Sequence, residues 1–154
     1  MWTKAGTWIM NKVTEQTIQE INIQFYRAFE SLSLERMEEV WKHSDEVVCV
    51  HPGWDLFRGW TAVRESWATI FQNTERIQFL IANAKVRVFE NLIAVVVCLE
   101  NIETIINQSK IRTGVIATNI FERQHNVRSI KDEWRMIHHH GSPLSDYIPP
   151  NVSV

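Results

Sequence analysis

The stretch RIQFLIANAKVRVF, residues 76–89, decides the fold. Its apolar side chains begin on odd positions (Ile77, Phe79, Ile81) and end on even ones (Val86, Val88). Strand side chains alternate with a period of two, so the phase cannot change without an extra residue. The switch predicts a β-bulge or sharp bend near Asn83-Ala84. A strand bent in its middle belongs to a sheet that curls around something.

Three further β segments follow, at about 92–106, 110–123 and 133–141. Glu90-Asn91 and Asn107-Gln108-Ser109 have the composition of tight hairpin connections. His125 to Asp132 is polar and reads as a longer loop. Leu92 to Leu99 is apolar at every position, so that strand is expected to be covered on both faces. Helices can cover one face. A chain of 154 residues has length for one domain and no second sheet, so the other face calls for a second copy.

What the sheet wraps lies upstream. Between Thr14 and Glu30, Ile18, Ile21, Phe25 and Phe29 recur at three- and four-residue steps, the stripe of an amphipathic helix. Ser33 can cap a second helix that puts Leu34, Met37, Val40 and Trp41 on one face. Val47 to His51 reads as a strand ended by Pro52-Gly53. Thr61 can cap a third helix, to about Thr74, carrying Val63, Trp67, Ile70 and Phe71 inward. The order predicts an α+β domain: a cone of three N-terminal helices packed on a strongly bent antiparallel sheet. Its span is 13–144, with tails at 1–12 and 145–154.

Composition narrows the function. Lys and Arg number 16 against 18 Asp and Glu, which removes the basic surface expected of a nucleic-acid binder. No apolar run reaches the length of a membrane span, and the first residues lack a secretory pattern. Cytoplasm is the expected compartment, with Cys49 and Cys98 as buried small hydrophobes. Seven Trp, seven Phe and six His, three of them consecutive, are the unusual content.

Several local patterns together resemble one superfamily. They are Val50-His51-Pro52-Gly53 with Gly59 and Arg64-Glu65-Ser66-Trp67, then Ala117 to Arg123, then Trp134-Arg-Met-Ile-His-His-His-Gly-Ser-Pro143. In this order they resemble the nuclear transport factor 2-like superfamily, its SnoaL-like branch, which includes ketosteroid isomerase-type proteins. The last strand is also similar to the end of the calmodulin-dependent kinase II association domain. The resemblance implies a cone-shaped fold whose members include isomerases, cyclases, hydrolases, transport factors and oligomerisation domains. Where the isomerases place catalytic acids, this chain offers Asn83, Asn101 and Asn119; the acid near the mouth is Asp55, and Tyr26 is the tyrosine of the first helix. The hub resemblance implies pocket arginines at the positions of Asn119 and Gly141. Both are absent here, so an anionic ligand in the cone is disfavoured.

These residues support two readings. In the first, the cone holds an uncharged or weakly polar organic ligand without a cofactor. His51 and His140 would be acid–base groups, and Tyr26, Trp54, Trp67, Asn119 and His138 ligand contacts. In the second, the domain is a non-catalytic oligomerisation or protein-binding module. A closed cone with exposed Trp2, Trp8, Trp54 or Trp60 would favour it. Alternation puts His138 and His140 on one face of the last strand and His139 on the other; the pocket reading takes the first pair as inward, and a one-residue slip would swap them. With His51, His138 and His140 could also form a metal site, although no Cys or carboxylate completes it. The expected assembly is a homodimer through the outer sheet face.

Overall fold

The computed structural model describes residues 4–124 and 133–151, with side chains from Thr14 onward. Helix α1 runs Lys4–Glu30, α2 Leu34–Val40 and α3 Trp60–Gln72. Strands β1 Val48–Val50, β2 Leu56–Arg58, β3 Arg76–Phe89, β4 Ile93–Ile106, β5 Ser109–Gln124 and β6 Glu133–Pro143 form one sheet in the order β2-β1-β6-β5-β4-β3. The α+β cone expected from the pattern is the observed fold. The loop proposed at 125–132, Trp2 and the side chain of Trp8 lie outside the described residues.

The bend is where the phase change put it. The β3–β4 register shifts between Ala82 and Lys85, and Asn83 sits at φ 54°. Asparagine is among the few side chains that tolerate this left-handed region. Both hairpins close with two successive positive-φ residues, Glu90-Asn91 and Asn107-Gln108. That turn geometry matches the right-handed twist of the strands it joins.

Four details depart from the sequence reading. Helix α1 continues upstream through the expected tail as far as Lys4. The connection from Pro52 to Gly59 contains a short strand, β2, paired antiparallel with β1. Helix α3 is entered through Gly59 at φ 83°, a conformation only glycine adopts cheaply, with no side-chain cap; Thr61 lies inside the first turn. Finally, β1 joins β6 in parallel, so the sheet is antiparallel except at that seam.

The core lies between the helices and the concave face. Helix α1 contributes Ile18, Phe25, Tyr26 and Phe29, and α3 contributes Val63 and Trp67. They meet Phe79 from β3, Ala94 and Val96 from β4, Phe121 from β5 and Met136 from β6. Trp41, Trp67 and Trp134 are buried, as expected of core residues; Trp60 is half-buried, stacked on His43 at 4.4 Å.

The chain after β6 turns back onto the convex face. The Tyr147 ring sits over Gly114, where a Cβ would come 2.1 Å from the ring, and its hydroxyl donates to Asn101 Oδ1 at 2.7 Å. Gly114→Ala is therefore expected to expel the ring and lose that bond, costing about 1–2 kcal/mol. Urea unfolding would register the loss. Limited proteolysis should cut the released segment after Leu144 faster than in the unaltered chain.

Candidate functional site

The polar side chains that face the cone form a chain of hydrogen bonds through Asn119 and a separate pair, His51 with Ser66. Alternation on β4 and β5 aims Glu100 and Asn119 inward, and the stripe of α1 brings Asn22 and Tyr26 down onto them. Tyr26 donates its hydroxyl to Glu100 Oε1 at 2.7 Å and lies 3.3 Å from Cys98 Sγ. Asn119 Nδ2 donates to Tyr26 Oη at 3.1 Å and to Asn22 Oδ1 at 2.8 Å. Its Oδ1 accepts from His139 Nδ1 at 2.6 Å. Nearby, Ser66 Oγ donates to the Val63 carbonyl at 2.7 Å, so it accepts from His51 Nε2 at 2.8 Å. That assigns the His51 proton to Nε2 and leaves Nδ1 as an acceptor.

Aromatic rings fill the space between these groups. Trp67 meets His51 edge-on at 4.6 Å, Phe29 at 4.7 Å and Phe25 at 5.8 Å, and Phe25 lies 5.1 Å from His139. His51 and His139 are 6.4 Å apart. His51 is 2% exposed, His139 1% and Asn119 0%. Four clefts of the described surface lie elsewhere, at the α1–α2 junction, beside α2 and β6, under the C-terminal segment and at the β4–β5 end. None of them is lined by His51, Asn119 or His139. The indole N–H groups of Trp41 and Trp67 are buried without a partner.

Of the expected ligand-contact and acid–base residues, Tyr26, His51, Trp67 and Asn119 come together here. Trp54 stands at the edge, 43% exposed, against the His51 ring at 5.2 Å. His138 and His140 do not join them. Strand β6 carries a bulge: Phe121 pairs with Met136 and Ile120 with His138, leaving Ile137 as the extra residue. The phase inverts there, so Trp134, Met136, His139 and Gly141 face inward. His138 is half-buried and His140 exposed, both on the convex side. This overturns the metal geometry too. His51 is on the opposite face, and among the described residues no three His, Cys, Asp or Glu side chains converge on a metal position. The Gly141 position is closed: a Cβ there would lie 2.8 Å from Pro52 Cγ.

The sequence reading missed Glu100, Asn22 and Ser66. Asn22 and Ser66 were in phase with helical stripes it had identified, whereas Glu100 follows a stretch apolar at every position, which fixes no phase. Asn22 sits between Ile18 and Phe25.

Burial sets the charge states. It raises the Glu100 carboxyl from 4.5 to about 7, the Tyr26 hydrogen bond pulling weakly the other way. It lowers His51 to about 4. His139 is held well below its usual value by burial, then by the neighbouring histidines His51, His138 and His140. Burial also drives Tyr26 and Cys49 upward, and Cys98 up to about 11. Near neutrality the cluster therefore has neutral imidazoles, and Glu100 keeps its proton well above the usual carboxylate range.

The stability consequence has a definite sign. Glu100 keeps its proton more tightly folded than unfolded, so its contribution is full below about pH 4.5 and is lost as pH rises through about 7, roughly 3 kcal/mol in all. The histidines act oppositely: their contribution is present above about 6.5 and lost as pH falls toward 4. Glu100→Gln is expected to match the unaltered chain near pH 5 and exceed its stability at pH 8. Urea midpoints at the two pH values check this.

A match to the SnoaL-like domain family extends over residues 18–146. The chain belongs to that family. A candidate dehydratase of the NTF2-like family from Streptomyces avermitilis is 31% identical to this SnoaL-like chain. Its structure covers 87% of this chain and 98% of its own, with a TM-score of 0.76. A candidate calmodulin-dependent kinase type II association domain from Thiobacillus denitrificans is also 31% identical, covering 82% and 94%, with a TM-score of 0.68. Among curated proteins, the F-box protein SKIP8 of Arabidopsis thaliana is 28% identical over 143 residues, 92% of this chain. The SnoaL-like chain spans 56% of that relative's length.

Proposed function

We propose that this SnoaL-like domain is a self-associating binding module whose two copies pair through their convex sheet faces, the cone interior serving as core. One observation carries the reading: the interior polar groups bond to one another between packed rings, while large apolar groups are exposed on the outside. Register places Leu99 opposite Ile116, Val97 opposite Thr118 and Val95 opposite Ile120 on that outer face. Val97, Ile116 and Leu80 are each about two-fifths exposed, and half-buried Val95, Leu99 and Ile120 join them. Contiguous apolar surface of this kind is uncommon on a monomer. Its occupant is a second copy of the chain, since a two-fold contact matches the face to itself. The association-domain name of the Thiobacillus relative supports this choice. Sedimentation equilibrium is expected to give twice the 18.1 kDa of one chain. A monomer at every concentration would sink the reading.

A second reading has its own support. A carboxyl that holds its proton to about pH 7, linked through Tyr26 and Asn119 to the neutral His139, supplies an acid and a base that a dehydration needs. The candidate-dehydratase name of the Streptomyces relative agrees with it. Formation of a conjugated double bond with loss of water from β-hydroxycarbonyl compounds, followed by absorbance and abolished in Glu100→Gln, would establish it. No turnover across a panel of such compounds would remove it.

A further inference from the structure

We infer that the cleft between α1, α2 and the start of β6 binds a small organic monoanion with a flat apolar body and one carboxylate. The cleft has a volume of about 250 Å³ and is separate from the cone cluster. Its lining divides by chemistry. Ile21, Ala28, Val40 and Trp134 are apolar, while Gln24, Arg27, Arg36 and Glu39 are polar. Trp134 is 7% exposed, so it presents a firm aromatic wall and not a mobile flap.

The arginines carry the argument. Other cations of this region are engaged: Lys42 with Glu122, Arg64 with Glu38, and Arg135 with Glu133 and the Glu39 carbonyl. No ion pair or side-chain hydrogen bond engages Arg27 or Arg36 among the described residues. Glu39 lies one turn along α2 from Arg36, at a spacing that commonly pairs, yet its side chain does not take that guanidinium. Two guanidinium forks are thus left beside an apolar wall, matched in kind to a carboxylate on a hydrophobic body. Two arginines and one glutamate sum to a single positive charge, which favours a monoanion over a dianion. The volume is below that of a drug-sized pocket and suits a one- or two-ring acid.

The probe is 2-naphthoate, with 2-naphthamide as its neutral analogue, titrated into the ¹⁵N-labelled full chain by NMR. The expected result is saturable shifts at the Trp134 indole and Ala28 amide. Naphthamide should bind at least tenfold more weakly. Arg27→Gln and Arg36→Gln should each weaken naphthoate about tenfold, a typical effect of losing one charged hydrogen-bond donor. Both side chains are exposed, so the variants should retain the parent spectrum elsewhere. The proposal is overturned if naphthoate gives no saturable shift, or if the double variant binds it equally well. It is also overturned if the amide binds as tightly, or if inorganic phosphate gives the same shifts with the same affinity. Shifts centred on Trp67 and His139 would move the site into the cone and equally defeat it.

Discussion

Glutamate at both Val97 and Ile116 is expected to halve the mass of the protein in solution without unfolding it. Each side chain is exposed on the free protomer, at 41% and 39%. Exposed changes of this kind usually alter folding stability by no more than about 0.5 kcal/mol. At a two-fold contact the same changes count twice, because each residue of one copy faces the matching patch of the other. Four carboxylates would then be brought out of water, with Lys85, the cross-strand neighbour of Val97, as the adjacent cation, at a cost of several kcal/mol. That corresponds to at least about a thousandfold loss of association. Light scattering coupled to size exclusion should report a monomer, and far-UV circular dichroism should be unchanged. If the double variant keeps the parent mass, the convex face is not the contact.

Asn119→Ala should be the most destabilising single change in the cone. Asn119 is fully buried and holds three partners: it donates to Asn22 and Tyr26 and accepts from His139. Alanine leaves the His139 Nδ1–H without an acceptor and Asn22 Oδ1 without a donor. Each such orphan costs about 1–3 kcal/mol, and the vacated volume adds a cavity term. Shared partners make the terms non-additive, so a total of about 3–5 kcal/mol is expected. For a chain of this length that lowers the melting temperature by roughly 6–20 °C. Asn119→Asp separates polarity from packing. It keeps the acceptor for His139 but aims an oxygen at Asn22 Oδ1 and Tyr26 Oη. The new carboxyl would be pushed upward in pKa, so this variant should lose more stability at pH 8 than at pH 5. Urea unfolding of both variants decides the matter. A cost below about 1 kcal/mol for Asn119→Ala would show that the network is not part of the core.

Much of the fold could be read from residue order because strand and helix periods are local. The bend at Asn83 was legible since apolar residues on either side of it stand in opposite phase, and no other arrangement keeps both sets inside. The hairpins were legible from Glu90-Asn91 and Asn107-Gln108. The second bulge was not. Around Ile137 both phases carry apolar residues, and three identical histidines follow. A run of one residue type has no phase, so nothing local chose between His139 and the His138/His140 pair. Glu100 was overlooked for a related reason. The residues before it, Leu92 to Leu99, are apolar on both faces and fix no phase, an acid argues for water unless a partner is known, and Tyr26 is 74 residues away.

Residue order alone carried the α+β architecture, the bent sheet, the helical stripes and the inward aim of Trp67. All of these follow from side-chain periods within single elements. Only the tertiary structure decided which histidine enters the cone and whether the cone stands open. The first turns on one unpaired residue between β5 and β6, which inverts every side chain beyond it. The second depends on how rings from α1, α3 and four strands share one volume, and on donors meeting acceptors across the whole chain. Neither quantity belongs to any single segment.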